Sequence, residues 1–154
     1  MDNAQASLLD RLIDEDPSNA RESAQHRLLN VRQVKASVAR DLENLLNSRR
    51  MISSIPQGMR HLADSVMTYG LKDFTAENTA STTVMQTLRR DVEWAISRFE
   101  PRLRNVKVAI VAGRQKERNL NFRISAMLVV DPIREPVSFD TNFDAIQKKY
   151  VVTV

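Results

Sequence analysis

Cysteine is absent from this chain, and histidine occurs only twice, at His26 and His61. The first absence removes disulfides, thiolate nucleophiles and cysteine-based zinc sites together. The second, with the two imidazoles in different segments, leaves no multi-histidine metal site, so no metal and no cofactor is expected. No run approaches the ~18 apolar residues of a membrane span, and the start of the chain lacks the basic and apolar stretches of a secretory signal. A soluble, cytosolic protein without direct membrane insertion is the expectation. Aromatic residues make up only 5% of the sequence, which leaves little for stacking on sugars. At 154 residues and 42% apolar content the chain still has one domain's worth of core.

What is present is periodicity. Val84, Met85, Leu88, Val92, Ala95, Ile96 and Phe99 recur at spacings of three and four, which predicts an amphipathic helix. Thr83-Val-Met-Gln86 has the form of a capping box for its start, with Thr79 or Ser81 as alternative caps. Pro101 pushes Glu100 out of the helical region, so the helix should end near Phe99, with Glu100 and Arg102 flanking a rigid bend. Val106, Val108 and Ile110 then alternate, as do Leu120, Phe122, Ile124, Ala126, Leu128 and Val130, which predicts a hairpin with a long polar tip at 113–119. A third short strand is expected at 137–139, where Pro136 suits an edge strand or its first residue. Residues 140–144 read as a turn and 150–154 as an extended terminal segment.

A second helix is indicated by Val31, Val34, Val38, Leu42, Leu45 and Leu46. Between the helices, Ile52, Ile55, Leu62, Val66 and Met67 suggest short pieces on the core, and Gly70 permits a turn that places Tyr69, Leu71 and Phe74 as anchors. Trp94 lies off the main stripe and is assigned to the core under the 69–74 loop. The expected fold is α+β: a small antiparallel sheet, made of a hairpin plus a third strand, packed with two main helices in a single domain over 31–154. An arm over 1–30 precedes it, carrying a short amphipathic helix on a tether. Leu8, Leu9, Leu12 and Ile13 form that helix's apolar side. Two turns are marginal alone in water, so these side chains need either the domain's own core or another protein. Each is worth on the order of 1.5–3 kcal/mol if buried.

Charge is uneven. Residues 1–30 hold six acids against three arginines, whereas residues 98–123 hold eight cations, among them Arg114, Lys116, Arg118 and Arg123, against two acids. The basic hairpin serves either as a solvated face or as a dock for an acidic partner. A nucleic-acid-binding module is one alternative, but no RNA-binding signature or helix-turn-helix pattern accompanies the cations, and no specific nucleic acid is expected. A hydrolase is another. A glycosidase needs two carboxylates across a sugar-sized cleft, and Asp91, Glu93 and Glu100 are the candidates. Asp91 and Glu93 point in different directions from one helix, and Glu100 between Arg98 and Arg102 is poorly suited to act as an acid.

In order along the chain, Leu8-Leu-Asp-Arg-Leu-Ile13, Arg40-Asp-Leu-Glu-Asn-Leu-Leu-Asn47, Tyr69-Gly-Leu-Lys-Asp-Phe74, Glu93-Trp-Ala-Ile96, Arg98-Phe-Glu-Pro-Arg-Leu103, Leu120-Asn-Phe122 with Asp131-Pro132, Glu135-Pro-Val137 and Phe139-Asp-Thr141 make a specific set. With it the chain resembles the TssE family of bacterial type VI secretion baseplates, which is similar to the lysozyme-like wedge protein of contractile phage tails. The resemblance implies a structural protein rather than a peptidoglycan hydrolase or other enzyme, with no small-molecule substrate. It implies a sheath connecting-domain-like fold that accepts a strand from a sheath subunit and initiates contractile sheath assembly. The implied partners are the wedge proteins TssF, TssG and TssK and the sheath subunits TssB and TssC, at a cytoplasmic baseplate docked on the inner membrane. The implied contact residues are Glu100, Pro101 and Arg102 at the bend, the arm residues Leu8, Leu9, Leu12 and Ile13, the basic tip Arg114, Lys116 and Arg118, and Val137 and Phe139 on the platform. An internal ion pair fixing the bend is an equal reading of Glu100 and Arg102.

Overall fold

Two long helices cover one face of a four-stranded antiparallel sheet, so the fold is α+β. The computed structural model describes residues 4–13, 28–51, 54–73, 81–112, 120–144, 146–147 and 149–154. In chain order these form β1 (Ala4–Gln5), α1 (Leu8–Leu12), β2 (Leu28–Leu29), α2 (Val31–Asn47), two short 3₁₀ turns (Arg60–Asp64 and Val66–Thr68), α3 (Thr82–Phe99), β3 (Leu103–Ala112), β4 (Leu120–Val130), β5 (Ile133–Asp144) and β6 (Lys149–Thr153). The expected tether, the hairpin tip and Phe74 fall outside the described residues.

Local chemistry sets the helix limits. Asn30 caps α2 by accepting from the Gln33 amide while the Gln33 side chain accepts from the Asn30 amide, satisfying two donors that the first turn leaves free. The capping box expected over 83–86 is not used, because α3 already includes Thr83; Ser81 precedes it without a side-chain cap bond. The stop comes at Phe99, where Pro101 forbids continuation.

The strands run in the order β3-β4-β5-β6. Leu103 and Val108 are both buried although five residues apart, a spacing that would put them on opposite faces of a regular strand. A bulge between Arg104 and Lys107 supplies the extra residue, with Asn105 in the left-handed region at φ 54. Inward-facing Val108, Phe122, Ile124, Leu128, Val137, Phe139 and Val152 pack with Val38, Leu42, Leu45, Val92, Ala95 and Ile96 of the helices to make one core.

Two expectations for the C-terminal third need correction. The third strand is not confined to 137–139 but runs over Ile133–Asp144, so the expected turn at 140–144 is strand. Phe139 and the fully buried Thr141 continue its inner face, and Thr141 Oγ1 donates to the Phe122 carbonyl and accepts from the Phe122 amide. The terminal segment then adds a fourth strand, β6, pairing Asp140–Asp144 with Lys149–Thr153.

Gly70 positions the connection between the helices. At φ 97 it lets the chain run against the end of α2, where the Leu71 amide donates to Ser48 O and the Arg50 amide to Leu71 O, each at 2.9 Å. A Cβ at Gly70 would collide with the Ser48 carbonyl.

Candidate assembly site

The helix-to-strand bend is built around Arg102. Its Nε donates to Glu100 Oε1 at 2.7 Å and its Nη1 to Ser37 Oγ at 3.0 Å, while Nη2 reaches both Glu100 Oε2 and Asp41 Oδ2. The Arg102 amide also donates to Glu100 Oε1. Burial works against the charge on Arg102, but hydrogen bonds and Coulomb attraction from Glu100, then Asp41, outweigh it and raise its pKa. Glu100 is 3% exposed. Of the two open readings of the Glu-Pro-Arg bend, the geometry supplies the tie within the fold: the guanidinium joins the α3–β3 junction to α2, and Pro101 alone of the three is exposed.

Ser37 extends this cluster to the N-terminal arm. Its hydroxyl lies 2.9 Å from Asp10 Oδ1, and Arg40 Nη2 donates to the same oxygen at 2.8 Å. Asp10 also closes a capping box with Ser7 at the start of α1. Burial pushes the Asp10 carboxyl up, but hydrogen bonds from Ser7, Arg40 and Ser37 prevail and hold it at about 2. Buried Ala4 and Ala6, and the pairing of β1 with β2, complete the attachment. α1 is thus fastened by its polar side. Leu8, Leu9, Leu12 and Ile13 are not packed into the core: they are between 42% and 74% exposed.

The remaining expected contact residues are distributed differently. Val137 and Phe139 point into the core, so these side chains hold the platform from inside rather than forming its outer surface. Arg114, Lys116 and Arg118 lie outside the described residues. Trp94 is 36% exposed rather than buried, with its ring edge-on to Phe99 and the Arg50 guanidinium 4.4 Å over it. Tyr69 packs edge-on against the same Phe99, so the 69–73 loop is its neighbour, with Arg50 interposed as the cover.

The three carboxylates weighed for hydrolysis each serve the architecture. Asp91 binds the buried guanidinium of Arg50 at 2.9 Å and accepts from the Lys72 amide. Glu93 accepts from the Val108 amide at 2.9 Å, and Glu100 is held by Arg102. Among the described residues no cluster of three or more His, Asp or Glu is arranged to hold a metal ion, and no helix is long and apolar enough to cross a membrane.

The sheet margins involve residues that the sequence pattern did not single out. On β6, Asn47 Nδ2 donates to Tyr150 O at 2.8 Å while Asn47 Oδ1 accepts from the Tyr150 amide at 2.7 Å, and Glu43 Oε2 accepts from the Val152 amide at 3.2 Å. Ser37 and Asp41, four apart on α2 amid the apolar stripe, were a readable signal that a charged partner lies inside. Asn47 and Glu43 carried no comparable signal, because polar residues on a helix surface are ordinary.

No curated protein matches this chain. One family model, described as Baseplate wedge protein gp25, matches residues 32–133, more than half of the chain, from the start of α2 to the first residue of β5. The chain therefore belongs to the baseplate wedge protein gp25 family, structural components of phage-tail-like baseplates that work in contact with other baseplate proteins.

Proposed function

We propose that this protein is the TssE-type wedge component of a type VI secretion baseplate. In this reading it acts in the bacterial cytoplasm at a baseplate docked on the inner membrane, and it has no catalytic role. It binds TssF, TssG and TssK as fellow wedge proteins, and its sheet starts the contractile sheath by accepting a strand from the TssB–TssC subunits.

The observation that carries the reading is the presentation of α1. Asp10 fixes the helix to Ser37 and Arg40 through its polar side, so Leu8, Leu9, Leu12 and Ile13 face outward in a defined orientation. Four exposed, pre-positioned apolar side chains make an anchor for a partner, because the ordering cost is met before binding. The Arg102 cluster supports the same role by fixing the arm, α2 and the sheet to one another through Ser37.

The test is affinity capture of the tagged full chain from bacteria carrying the native secretion locus, after nuclease treatment and a moderate salt wash. Wedge proteins in defined ratios are expected in the mass spectrum, and Leu8→Asp with Leu12→Asp should remove them while the melting temperature is kept. Capture of ribosomes or cell-wall fragments alone would turn attention to nucleic-acid or peptidoglycan binding instead.

A further inference from the structure

The four strands leave three stretches of sheet margin, and they are not equivalent. Along β6 three of the four outward backbone groups of Tyr150 and Val152 are taken by α2: Asn47 holds both the N–H and the C=O of Tyr150, and Glu43 holds the N–H of Val152. With Tyr150 and Val152 turned outward, alternation in the antiparallel ladder turns Asp140 and Asn142 of β5 toward β6. Arg134, Pro136 and Ser138 then face the unpaired side of the first half of β5, which β6 does not reach. Pro136 has no N–H, so this margin lacks a donor at the middle of the three positions where a further strand would need one.

The third margin is the outer side of β3. The Val108 amide bonds to Glu93 rather than to β4, so Val108 and, by alternation, Ile110 and Ala112 turn their backbone groups outward. Among the described residues, Glu93 is the one group that engages this margin, and it accepts a single N–H. The C=O of Val108 and both groups of Ile110 meet no other partner among the described residues. Glu93 itself is partly exposed, and among the described residues its ion-pair partner is Arg89 at 3.9 Å, so the Val108 bond is its one close contact to a backbone group. Lys107 and Arg104 are exposed on the same strand, a setting that favours carboxylates on whatever lies alongside.

We infer that residues 108–112 of β3 form the acceptor edge for an extended, acid-bearing segment of another protein chain, and that Glu93 is a removable cap occupying the place of that segment's first carbonyl. The inference rests on the strand-addition reading above and specifies its edge. An incoming strand would replace Glu93 on the Val108 N–H and pair with Ile110, while β6 and the first half of β5 stay closed by Asn47, Glu43 and Pro136.

The experiment places a photo-crosslinking amino acid, one site at a time, at the exposed positions Ala109 and Val111 of β3, Ser138 of β5 and Thr153 of β6 in the full chain. Cells carry the native secretion locus with a tagged sheath subunit, which is the probe. Cross-links to the sheath subunit are expected from 109 and 111 at more than five times the yield from 138 or 153. Dominant yield from 138 or 153 would overturn the edge assignment and leave strand addition standing. No sheath cross-link from any site, with wedge proteins still captured, would overturn strand addition as well. Backbone dependence is checked by Ile110→Pro against Ile110→Ala, which lose the same packing but differ in the outward N–H. With matched melting temperatures, the proline variant should lower sheath foci at least ten-fold below the alanine variant, and equal counts would sink the proposal. Glu93→Ala should raise cross-linking from 109 and 111 about two-fold or more, and an unchanged yield would show that Glu93 is no cap.

Discussion

The two outer strands of the sheet are finished in different ways. At β6 a helix stands in for a fifth strand: the Asn47 amide both donates to and accepts from Tyr150, reproducing the pairing of a peptide group, and Glu43 extends it by one residue. At β3 the neighbouring helix offers a carboxylate, which accepts but cannot donate, so one N–H is satisfied and, among the described residues, nothing meets the carbonyls beside it. Unpaired margins are templates for association, and proteins normally blunt them. Here one margin is blunted by a two-handed side chain and the other only by a one-handed one. A wedge protein that has to join a larger assembly without polymerising with itself is served by that asymmetry.

Both margins should be disturbed most by removing what holds their helices in place. Arg102 ties α2, through Ser37 and Asp41, to the end of α3, so it supports the helix behind each margin. Arg102→Ala leaves the buried Glu100 carboxylate without its cation, a loss of about 3–5 kcal/mol. Equilibrium urea unfolding should show it, with faster amide exchange along both β3 and β6. The partner-contact reading of the bend would have this substitution impair assembly more than stability. The four in-chain hydrogen bonds that the side chain makes move the weight to stability.

Next in size is Asn47→Ala, which frees the two Tyr150 groups and should cost about 1–2 kcal/mol. Its effect should be local. Exchange should accelerate at the outward amide of Tyr150 and leave β3 unchanged; a uniform acceleration would mean that the margins are not independent.

Much of this architecture is legible in the sequence, and the parts that are not share a cause. Period 3.6 in 84–99 and period 2 in 120–130 mark buried faces directly, and α3 and β4 follow them. The 140–144 segment reads as a turn because Asp140, Asn142 and Asp144 are turn-forming residues, while the inward Thr141 is polar rather than core-like. Its burial depends on a hydroxyl paired with Phe122 on another strand, which is tertiary information. The same holds at the site. Glu100 and Arg102 stand out through the proline between them, but their partners Ser37 and Asp41 are more than 55 residues away in sequence. Likewise, the apolar side of α1 is readable, whereas its outward orientation follows from where Asp10 finds Ser37 and Arg40.

Acid should separate the arm from the margins. The Asp10 carboxyl is held at about 2, below its ordinary 3.8, so its contribution is fully present above 3.8 and is lost as the pH falls toward 2. Exchange or limited proteolysis over residues 4–13 should therefore rise in that window, ahead of exchange at Tyr150. Asp10→Asn should show the loosened arm already at neutral pH and flatten the acid response. If arm and β6 loosened together in both cases, α1 would be part of the lock on that margin.

The finest test exchanges the two caps. Glu93→Gln keeps an acceptor for the Val108 N–H and adds an amide donor, giving β3 the kind of group that closes β6. Asn47→Asp does the reverse, keeping the acceptor for the Tyr150 N–H and removing the donor to its carbonyl. For Glu93→Gln the change in folding stability should stay within about 0.5 kcal/mol, since a half-exposed bond is retained in altered form. What should move is access. Amide exchange at Val108 should slow in Glu93→Gln, and exchange at Tyr150 should quicken in Asn47→Asp. If closure depends on having both a donor and an acceptor, sheath recruitment falls in the first variant, and in the second the isolated chain self-associates through β6. If instead both variants behave like the parent, the number of hydrogen bonds does not distinguish the margins, and the bulk of α2 across β6 is what keeps it closed.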